Sequence, residues 1–507
     1  MASIFSSIQL RRPRFNKFNL SHERKMSLQM GNLYPMYVEE IVPGDKFRVR
    51  SEIMLRFAPL LAPVMHRVNV FTHYFFVPNR LLWDEWEDFI TGGRLGTAEP
   101  VPPRIRIGAD TFAKFSVGSL ADYLGLPVVG GDPDPNEIFI SALPFRAYQL
   151  CYDEYYRDQN LEAALDISKA SGTIPAGAEL DKITELRVRA WEKDYFTSAL
   201  PFAQRGGSVE VPLSDDPTVQ TEAYRVSTGL PFTQSGDLTI GGSSNVLMTG
   251  SASEDGGVHL GAEGYGIDVN SLRRSVRLQE WLEKNARGGA RYVEQILSHF
   301  GVRSSDARLQ RPEYLGGGKT PVVISEVLST FQDETGNPQG TMAGHGISFG
   351  TTNGFRRGFE EHGFVIGIMS VLPKTAYQQG IHRMFSRFDK FDYYWPEFAQ
   401  IGEQEIKNKE IYYAADVSEP EGTFGYQSRY AEYKYGCSTV HGAFRGNLSF
   451  WHMGRIFASQ PSLNDDFVKS DPTTRIFAVE TGDHLYCQLY NRVDALRPMP
   501  YFGTPTI

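Results

Sequence analysis

The residues Gly318-Lys319-Thr320 match the end of a phosphate-binding loop, in which backbone amides and a lysine hold phosphate at a helix N-terminus. The first glycine of that motif would fall at position 313, which is Glu313, and Pro321 argues against a helix that begins directly after the motif. Without the helix N-terminus there is no cradle for an anion. We therefore predict a glycine turn before a strand, and no nucleotide site.

A second candidate is a pair of carboxylates among aromatic rings. Asp392 and Glu397 flank Tyr393, Tyr394 and Trp395, an arrangement that could form a sugar cleft with paired catalytic acids. A packed aromatic loop is the interpretation that we favour.

Metal and thiol chemistry find little support. The 11 histidines are scattered without an HExxH pattern, and the three cysteines show no CxxC spacing. This argues against a zinc site or a disulfide framework and is typical of a reducing cytoplasm. We predict no catalytic residue, no metal ligand and no cofactor.

The N-terminal 25 residues carry a clearer signal. They form a basic arm of net charge +5, with six cations against Glu23 and with phenylalanines interleaved. Cations neutralise phosphates and aromatic rings stack on bases, so the arm suits single-stranded DNA, although a solvated tail has the same composition. The candidate DNA-facing residues are Arg11, Arg12, Arg14, Lys17, Arg24 and Lys25.

Residues 206–270 have the opposite character. They hold nine acids against Arg225, a net charge of −8, together with twelve glycines and many Ser and Thr. No helical periodicity is visible. We interpret this segment as an insertion of short strands and loops that faces solvent.

The element that must position the rest lies between residues 45 and 93. Apolar and charged residues alternate from Asp45 to Phe57, which predicts a strand that is buried on one face. Residues 65–77 are apolar on both faces, so this strand should lie inside a covered sheet. A helix over 80–90, capped by Asn79, should follow. We expect Trp83, Trp86 and Phe75 to be core anchors.

The other elements are predicted from the same kinds of pattern. Their order is a strand at 33–42, helices at 119–126 and 144–161, helices at 271–289 and 290–301, strands at 321–330 and 363–373, and a hairpin at 475–493. No apolar run approaches the length of a membrane span, and the N-terminus lacks a signal-peptide core, so neither a span nor export is predicted.

Several long stretches together resemble the major capsid proteins of the microviruses, the small single-stranded DNA phages, and in particular their gokushovirus branch. Three of them are SEIMLRFAPLLAPVMHRVNVFTHYFFVPNRLLWDEWEDFITGG, LPFRAYQLCYDEYYRDQNL and RLQEWLEKNARGGARYVEQILSHFGVRSSDARLQRPEYLGGGKTPVVISEVLST. The resemblance covers most of the chain except residues 206–270.

The resemblance implies a mainly β fold, a single eight-stranded antiparallel jelly roll of viral capsid type with long inter-strand loops, several helices and a large surface insertion. The expected divisions are an arm at 1–27, core at 28–205 and 271–507, and a threefold protrusion at 206–270 with host-attachment loops. The implied partners are further copies in a T=1 icosahedral shell, the circular single-stranded DNA genome, a small basic DNA-binding protein, a pilot protein and a host surface receptor. The implied location is the virion, assembled in the cytoplasm of a bacterial host.

Two alternatives from other classes remain open on the residues alone. One is a β-sandwich glycan-binding protein, which would be a small soluble oligomer without DNA. The other is a glycoside hydrolase that depends on Asp392 or Glu397. Icosahedral particles in negative stain would separate the capsid interpretation from both.

Overall fold

The computed structural model describes residues 14–108, 110–128, 138–207, 209, 223–225, 258–260, 269–289, 291–328, 342–351, 354–414, 419–479 and 481–502. The strands are β1 (Asn16–Asn19), β2 (His22–Leu28), β3 (Tyr34–Ile41), β4 (Lys46–Phe57), β5 (Val68–Pro78), β6 (Arg104–Ile107), β7 (Ile138–Ser141), β8 (Thr173–Ile174), β9 (Ala223–Arg225), β10 (Val258–Leu260), β11 (Glu313–Leu328), β12 (Met342–Thr351), β13 (Phe355–Gly358), β14 (Gly363–Pro373), β15 (Glu403–Lys407), β16 (Thr423–Ser428) and β17 (Leu485–Arg497). The α-helices are α1 (Trp86–Thr91), α2 (Leu120–Leu124), α3 (Leu143–Tyr155), α4 (Ala178–Thr184), α5 (Val269–Gly288), α6 (Tyr292–Gln295), α7 (Asn408–Ile411), α8 (Ala431–Lys434) and α9 (Asp465–Val468).

One large antiparallel sheet organises the described residues. Its strands follow the order β1-β17-β4-β12-β11-β5-β14-β3, with β13 also paired to β4 and β2 to β17. Strand β11 joins the two halves, because residues 313–322 pair with β5 and residues 323–328 pair with β12. Inward side chains from both halves, such as Val49 and Val365, meet in one core cluster, so the sheet curls around it. The predicted mainly β architecture with peripheral helices is confirmed.

The two strands predicted to be central behave as their sequences indicate. Strand β4 alternates between buried and solvent-facing residues along its whole length. Strand β5 is buried at every position except His73, which is half-buried. Its second face is covered by a separate apolar cluster that includes Phe75 and side chains of α3. Phe75 and its neighbours therefore occupy a sheet that is covered on both sides, as predicted.

The predicted helix over 80–90 is wrong in its first half. Residues Asn79–Leu81 form a 3₁₀ turn, and α1 begins only at Trp86. Leu81, Leu82 and Trp83 are all buried, and three consecutive residues on a straight helix would point across about 200° of its circumference. The chain leaves helical geometry so that all three can reach the core. Asn79 is accordingly buried within the turn and caps no helix.

The tryptophans consequently differ in burial. Trp83 is 1% exposed, and its indole nitrogen donates a hydrogen bond to the Ser171 hydroxyl over 2.7 Å. Trp86 is half-buried at the edge of the second cluster. The large loss of stability expected on emptying a buried aromatic site therefore applies to Trp83 rather than to Trp86.

The basic arm is not irregular throughout. Residues 16–19 and 22–28 form β1 and β2, and both pair with β17 near the other end of the chain. These strands are short and rich in charge, so their alternation is hard to see in the sequence. The part of the arm that precedes residue 14 lies outside the described residues.

The predicted C-terminal hairpin is wrong. Residues around 476 form no strand with β17; instead Ile476 and Phe477 are buried in the core, and Phe477 stacks on His484. Strand β17 already has β4 on one edge and β1 and β2 on the other. No edge of β17 is left for a hairpin partner.

The chain divides into two compact units, residues 1–203 with 288–507, and residues 204–287. The second unit contains the pairing of β9 with β10 and most of α5. The predicted insertion at 206–270 falls in this unit, but most of it lies outside the described residues.

Candidate nucleic-acid interface

Strand β4 places a row of cations on the side of the sheet opposite the core. Phe47, Val49 and Leu55 point into the core, so Lys46, Arg48, Arg50 and Arg56, which alternate with core residues, are exposed on the other side. This placement follows from the two-residue period of a strand and needs no helix or loop to support it.

Strand β17 extends the same surface. In its register with β4, Arg492 lies opposite Arg50, and Asp494 lies opposite Arg48. Residues directly opposite one another in adjacent strands project to the same side. Tyr486 and Tyr490 belong to this side as well, since Tyr486 lies opposite Arg56 and Tyr490 opposite Glu52. Both tyrosines are exposed.

Strands from four other parts of the chain complete the surface. Lys25 of β2 lies opposite Gln488, Lys17 of β1 opposite Leu496, Arg356 of β13 opposite Arg48, and Phe349 of β12 opposite Met54. We call this surface the basic sheet face. Its charged members are Lys17, Glu23, Lys25, Lys46, Arg48, Arg50, Glu52, Arg56, Arg356, Arg492 and Asp494, and its exposed aromatic members are Phe349, Tyr486 and Tyr490.

The charge of the basic sheet face is opposite to that of the whole chain. Eight cations against three acids give 8 − 3 = +5, whereas the chain has a net charge of −9. Lys17 and Asp494 form an ion pair at 2.8 Å. The hydrogen bond from Lys17, together with the charges of Arg492 and Arg48, lowers the pKa of the Asp494 carboxyl.

Four of the eight cations of the face are not neutralised by a carboxylate among the described residues. Within the described part of the chain, no carboxylate forms an ion pair with Lys25, Arg50, Arg56 or Arg356. Exposed cations with three aromatic rings between or beside them can bind phosphates and stack on unpaired bases. The surface therefore has the chemistry of a single-stranded nucleic-acid interface.

The predicted DNA-facing residues fall into three groups. Lys17 and Lys25 lie on the basic sheet face, and Arg14 is exposed just before β1. Arg24 projects to the other side, where its guanidinium donates to the carbonyl oxygen of Tyr123 at 3.1 Å, and burial lowers its pKa. Arg24 is therefore not part of the basic sheet face. Arg11 and Arg12 lie outside the described residues.

Sequence reasoning missed the cations of β4, β13 and β17 as a site. The alternation that exposes Arg48, Arg50 and Arg56 is visible in the sequence, but by itself it indicates only the polar side of a strand. Their convergence with Arg492 and Arg356 depends on strand pairing between distant segments. The excess of arginine and lysine on one face of β4 was the signal that could have found the site.

The paired-carboxylate candidate is not arranged for catalysis. The Asp392 carboxylate accepts hydrogen bonds from the backbone amides of Phe388 and Asp389 at 2.8 and 2.9 Å. These bonds lower the pKa of Asp392, so it serves as a cap of a 3₁₀ turn and not as a proton donor. Glu397 is exposed.

The predicted glycine turn at 316–318 is also corrected. These glycines lie within β11, with a bulge between Tyr314 and Gly316. A Cβ on Gly317 would lie 2.4 Å from the carbonyl oxygen of Thr72, so the close approach of β5 requires glycine there. Lys319 is accordingly a strand residue without a helix N-terminus behind it.

Among the described residues, no group of three or more His, Cys, Asp or Glu side chains could hold a metal ion. No helix within the described ranges combines the length and the apolar character that crossing a membrane requires.

A curled antiparallel sheet with one basic, aromatic-bearing face is compatible with a structural protein that contacts nucleic acid, and comparison with known proteins agrees. The chain belongs to the capsid protein (F protein) family of phages, whose family model matches residues 6–507. This family is structural, so the chain is a capsid protein and not an enzyme.

Individual relatives support the same assignment. The chain is 36% identical to capsid protein VP1 of Chlamydia phage 1, over 100% of this chain and 98% of that protein. It is 35% identical to capsid protein VP1 of Bdellovibrio phage phiMH2K, over 97% and 95%. Capsid protein VP1 of Spiroplasma virus 4 is 29% identical, over 97% and 95%. The resemblance to microvirus capsid proteins is confirmed, and it favours the capsid interpretation over the glycan-binding alternative.

Proposed function

We propose that this chain is the major capsid protein of a T=1 icosahedral shell that packages circular single-stranded DNA, with the basic sheet face lining the interior. The observation that carries the proposal is the charge of +5 on one exposed sheet face in a chain of net charge −9. Packaged phosphates need counter-charges, and a fixed cationic surface supplies them with release of small ions.

The aromatic members of the face support single-stranded DNA in particular. Phe349 is 76% exposed, and Tyr486 and Tyr490 are also exposed. Bases in a duplex are stacked on one another, whereas unpaired bases can stack on protein rings. An eight-stranded jelly roll is the form of the curled sheet that we propose, since the core cluster is enclosed by its two halves.

The remaining parts of the proposal concern partners and location. We place the protein in the virion, assembled in the host bacterial cytoplasm, with a small basic DNA-binding protein and a pilot protein as virion partners. The acidic segment 206–270 is proposed to form a threefold protrusion that carries host-attachment loops. Its density of negative charge would be unfavourable beside packaged phosphates, and it falls within a separate compact unit.

The experiment is a salt titration of DNA binding. Dissociated subunits that carry Arg50→Gln, Arg56→Gln and Arg492→Gln should bind a single-stranded oligonucleotide more weakly than the wild type. Each phosphate contact contributes about 0.7 to the salt slope for single strands, so loss of three contacts should lower the slope by about 2. Particles of this variant should also retain less genome.

A matched control removes the same charge elsewhere. Arg94→Gln, Arg303→Gln and Arg308→Gln change three exposed arginines that lie off the basic sheet face. Equal losses of salt slope in the two triple variants would show that only net charge matters and would contradict the proposed interface.

A further inference from the structure

Residues 384–401 expose a concentration of large apolar side chains, which we call the aromatic segment. Phe388 is 89% exposed, and seven other large apolar residues in the segment are exposed by at least 44%. The eight residues are Met384, Phe385, Phe388, Phe391, Tyr393, Tyr394, Trp395 and Ile401.

The exposed area is large enough for a protein interface. Large apolar side chains present roughly 150–250 Å² each, so eight that are about half exposed present on the order of 800 Å². The largest apolar patch on a typical monomer is about 300–600 Å². One partner of a stable protein interface contributes about 800 Å². The aromatic segment alone thus approaches the area that a stable contact needs.

The segment is held in a defined shape by its own polar groups. The Asp392 carboxylate accepts bonds from two backbone amides, and the indole nitrogen of Trp395 donates to the carbonyl oxygen of Lys390 over 2.8 Å. The backbone amide of Trp395 donates in turn to the Tyr430 hydroxyl at 3.2 Å. These bonds fix the local backbone, and the eight side chains are exposed on it.

Two ion pairs fix the segment to the body of the protein. Arg387 and Glu432 approach to 3.1 Å, with side chains only 9% and 4% exposed. Arg383, just before the segment, approaches Glu410 to 3.1 Å, and the Glu410 side chain is also nearly buried. Because these ion pairs and hydrogen bonds already hold the segment in place in the single chain, little ordering entropy should oppose association.

The charge of the segment decides which partner it fits. Arg387 and Lys390 stand against Asp389, Asp392 and Glu397, so its net charge is 2 − 3 = −1. Such a surface offers no attraction to phosphates, in contrast to the basic sheet face at +5. Although the whole chain carries −9, a segment this close to neutral can meet an apolar patch on another copy of the chain without strong repulsion.

We propose that the aromatic segment is a contact surface between two copies of this chain in the assembled shell. The inference rests on shell formation, which is part of the proposed function, and does not depend on DNA. The rings of the segment are buried when a second copy docks, and their exposure in the isolated chain is the unassembled state of that interface.

The first test changes the surface without touching the core. Phe385→Asp with Phe388→Asp in the full chain should lower the yield of particles at least tenfold in sedimentation and negative stain. The melting temperature of the dissociated subunit should stay within about 2 °C of the wild type, because both rings are exposed. Phe300→Asp is a matched control, since Phe300 is 78% exposed and lies outside the segment.

The possible results separate the two proposals. A wild-type chain that forms no particles would contradict shell formation itself. Wild-type particles together with a normal particle yield of the double variant would overturn the interface alone. Phe388→Leu should keep particle formation within about twofold of the wild type, because apolar area is retained.

A second test identifies the partner directly. Full-length particles with Phe388→p-benzoylphenylalanine should give, on irradiation, a product of twice the subunit mass. Peptide mapping should place position 388 against another copy of the chain. A product that joins this position to DNA, or irradiated particles without any subunit–subunit product, would overturn the inference.

Discussion

The basic sheet face and the aromatic segment are both exposed, yet they are built in different ways. The face combines side chains from six strands that are distant in sequence, and pairing register alone brings them together. The aromatic segment is a single run of residues fixed by local turns and two ion pairs. The difference in charge, +5 against −1, separates the surface that we propose for DNA from the surface that we propose for a second copy of the chain.

The largest expected effect distinguishes a buried ring beneath the basic sheet face from an exposed ring of the aromatic segment. Phe47→Ala removes a ring that is 1% exposed and that packs against Phe359 beneath the basic sheet face. It should lower the free energy of unfolding of the subunit by about 3–5 kcal/mol. Phe388→Ala should change it by less than about 0.5 kcal/mol. Chemical denaturation of dissociated subunits measures both, and equal losses would erase the distinction.

The anchors of the aromatic segment should come next in size. Arg387→Ala leaves the nearly buried Glu432 without its closest cation, which should cost about 3 kcal/mol. The same change at the exposed Arg303 is the control and should have almost no effect. If Arg387→Ala melts like the wild type in thermal unfolding, the segment is not held by this ion pair.

Acid should lower the free energy of unfolding of the subunit, because His73 is half-buried in the sheet. Burial, and then the charge of Arg189, lower the pKa of His73 to about 4. Between the ordinary histidine pKa of about 6.5 and this value, the unfolded chain binds a proton that the folded chain excludes, so stability falls as pH falls. The expected loss between pH 7 and pH 5 is about 2 kcal/mol.

Two variants test the source of this acid sensitivity. His73→Gln should reduce the dependence of unfolding free energy on pH over that range. Burial also lowers the pKa values of His66 and His452, so a smaller dependence should remain. Phe388→Leu, in the aromatic segment, is the control and should keep the wild-type dependence because it changes no titratable group. If the unfolding free energy of His73→Gln depended on pH as strongly as that of the wild type, another group would be responsible.

The burial pattern of the two central strands was predictable from local sequence. The alternation in β4 and the unbroken apolar run of β5 specify one-sided and two-sided burial without any knowledge of neighbours. The aromatic run at Tyr393, Tyr394 and Trp395 was recognised, but its exposure was not, since periodicity does not tell a packed loop from a displayed one.

Two of the errors share a cause, which is pairing between distant segments. The predicted hairpin near residue 481 is wrong because β17 pairs with β4, β1 and β2. A local pattern cannot indicate which distant strands will pair with a given strand. Likewise, Arg24 and Lys25 are adjacent in sequence, but a strand sends them to opposite sides of the sheet. The positive charge of the arm is visible in the sequence. Which of its cations lie on each side of the sheet can be told only from the register of strand pairing.

The smallest expected effect concerns the edge of the basic sheet face. Lys17→Gln breaks an exposed ion pair with Asp494, so the melting temperature should not change measurably. The salt slope of binding to single-stranded DNA should nevertheless fall by about 0.7, as one phosphate contact is lost. A shift in melting without a change in slope would make Lys17 a structural residue.

The most direct measurement of the central claim is a map of DNA adducts after ultraviolet irradiation of intact particles. We predict adducts on the basic sheet face, at Phe349, Tyr486 and Tyr490, and none at the rings of the aromatic segment. Adducts confined to residues 384–401, or absent from all three rings of the basic sheet face, would contradict the division between a DNA surface and a subunit surface.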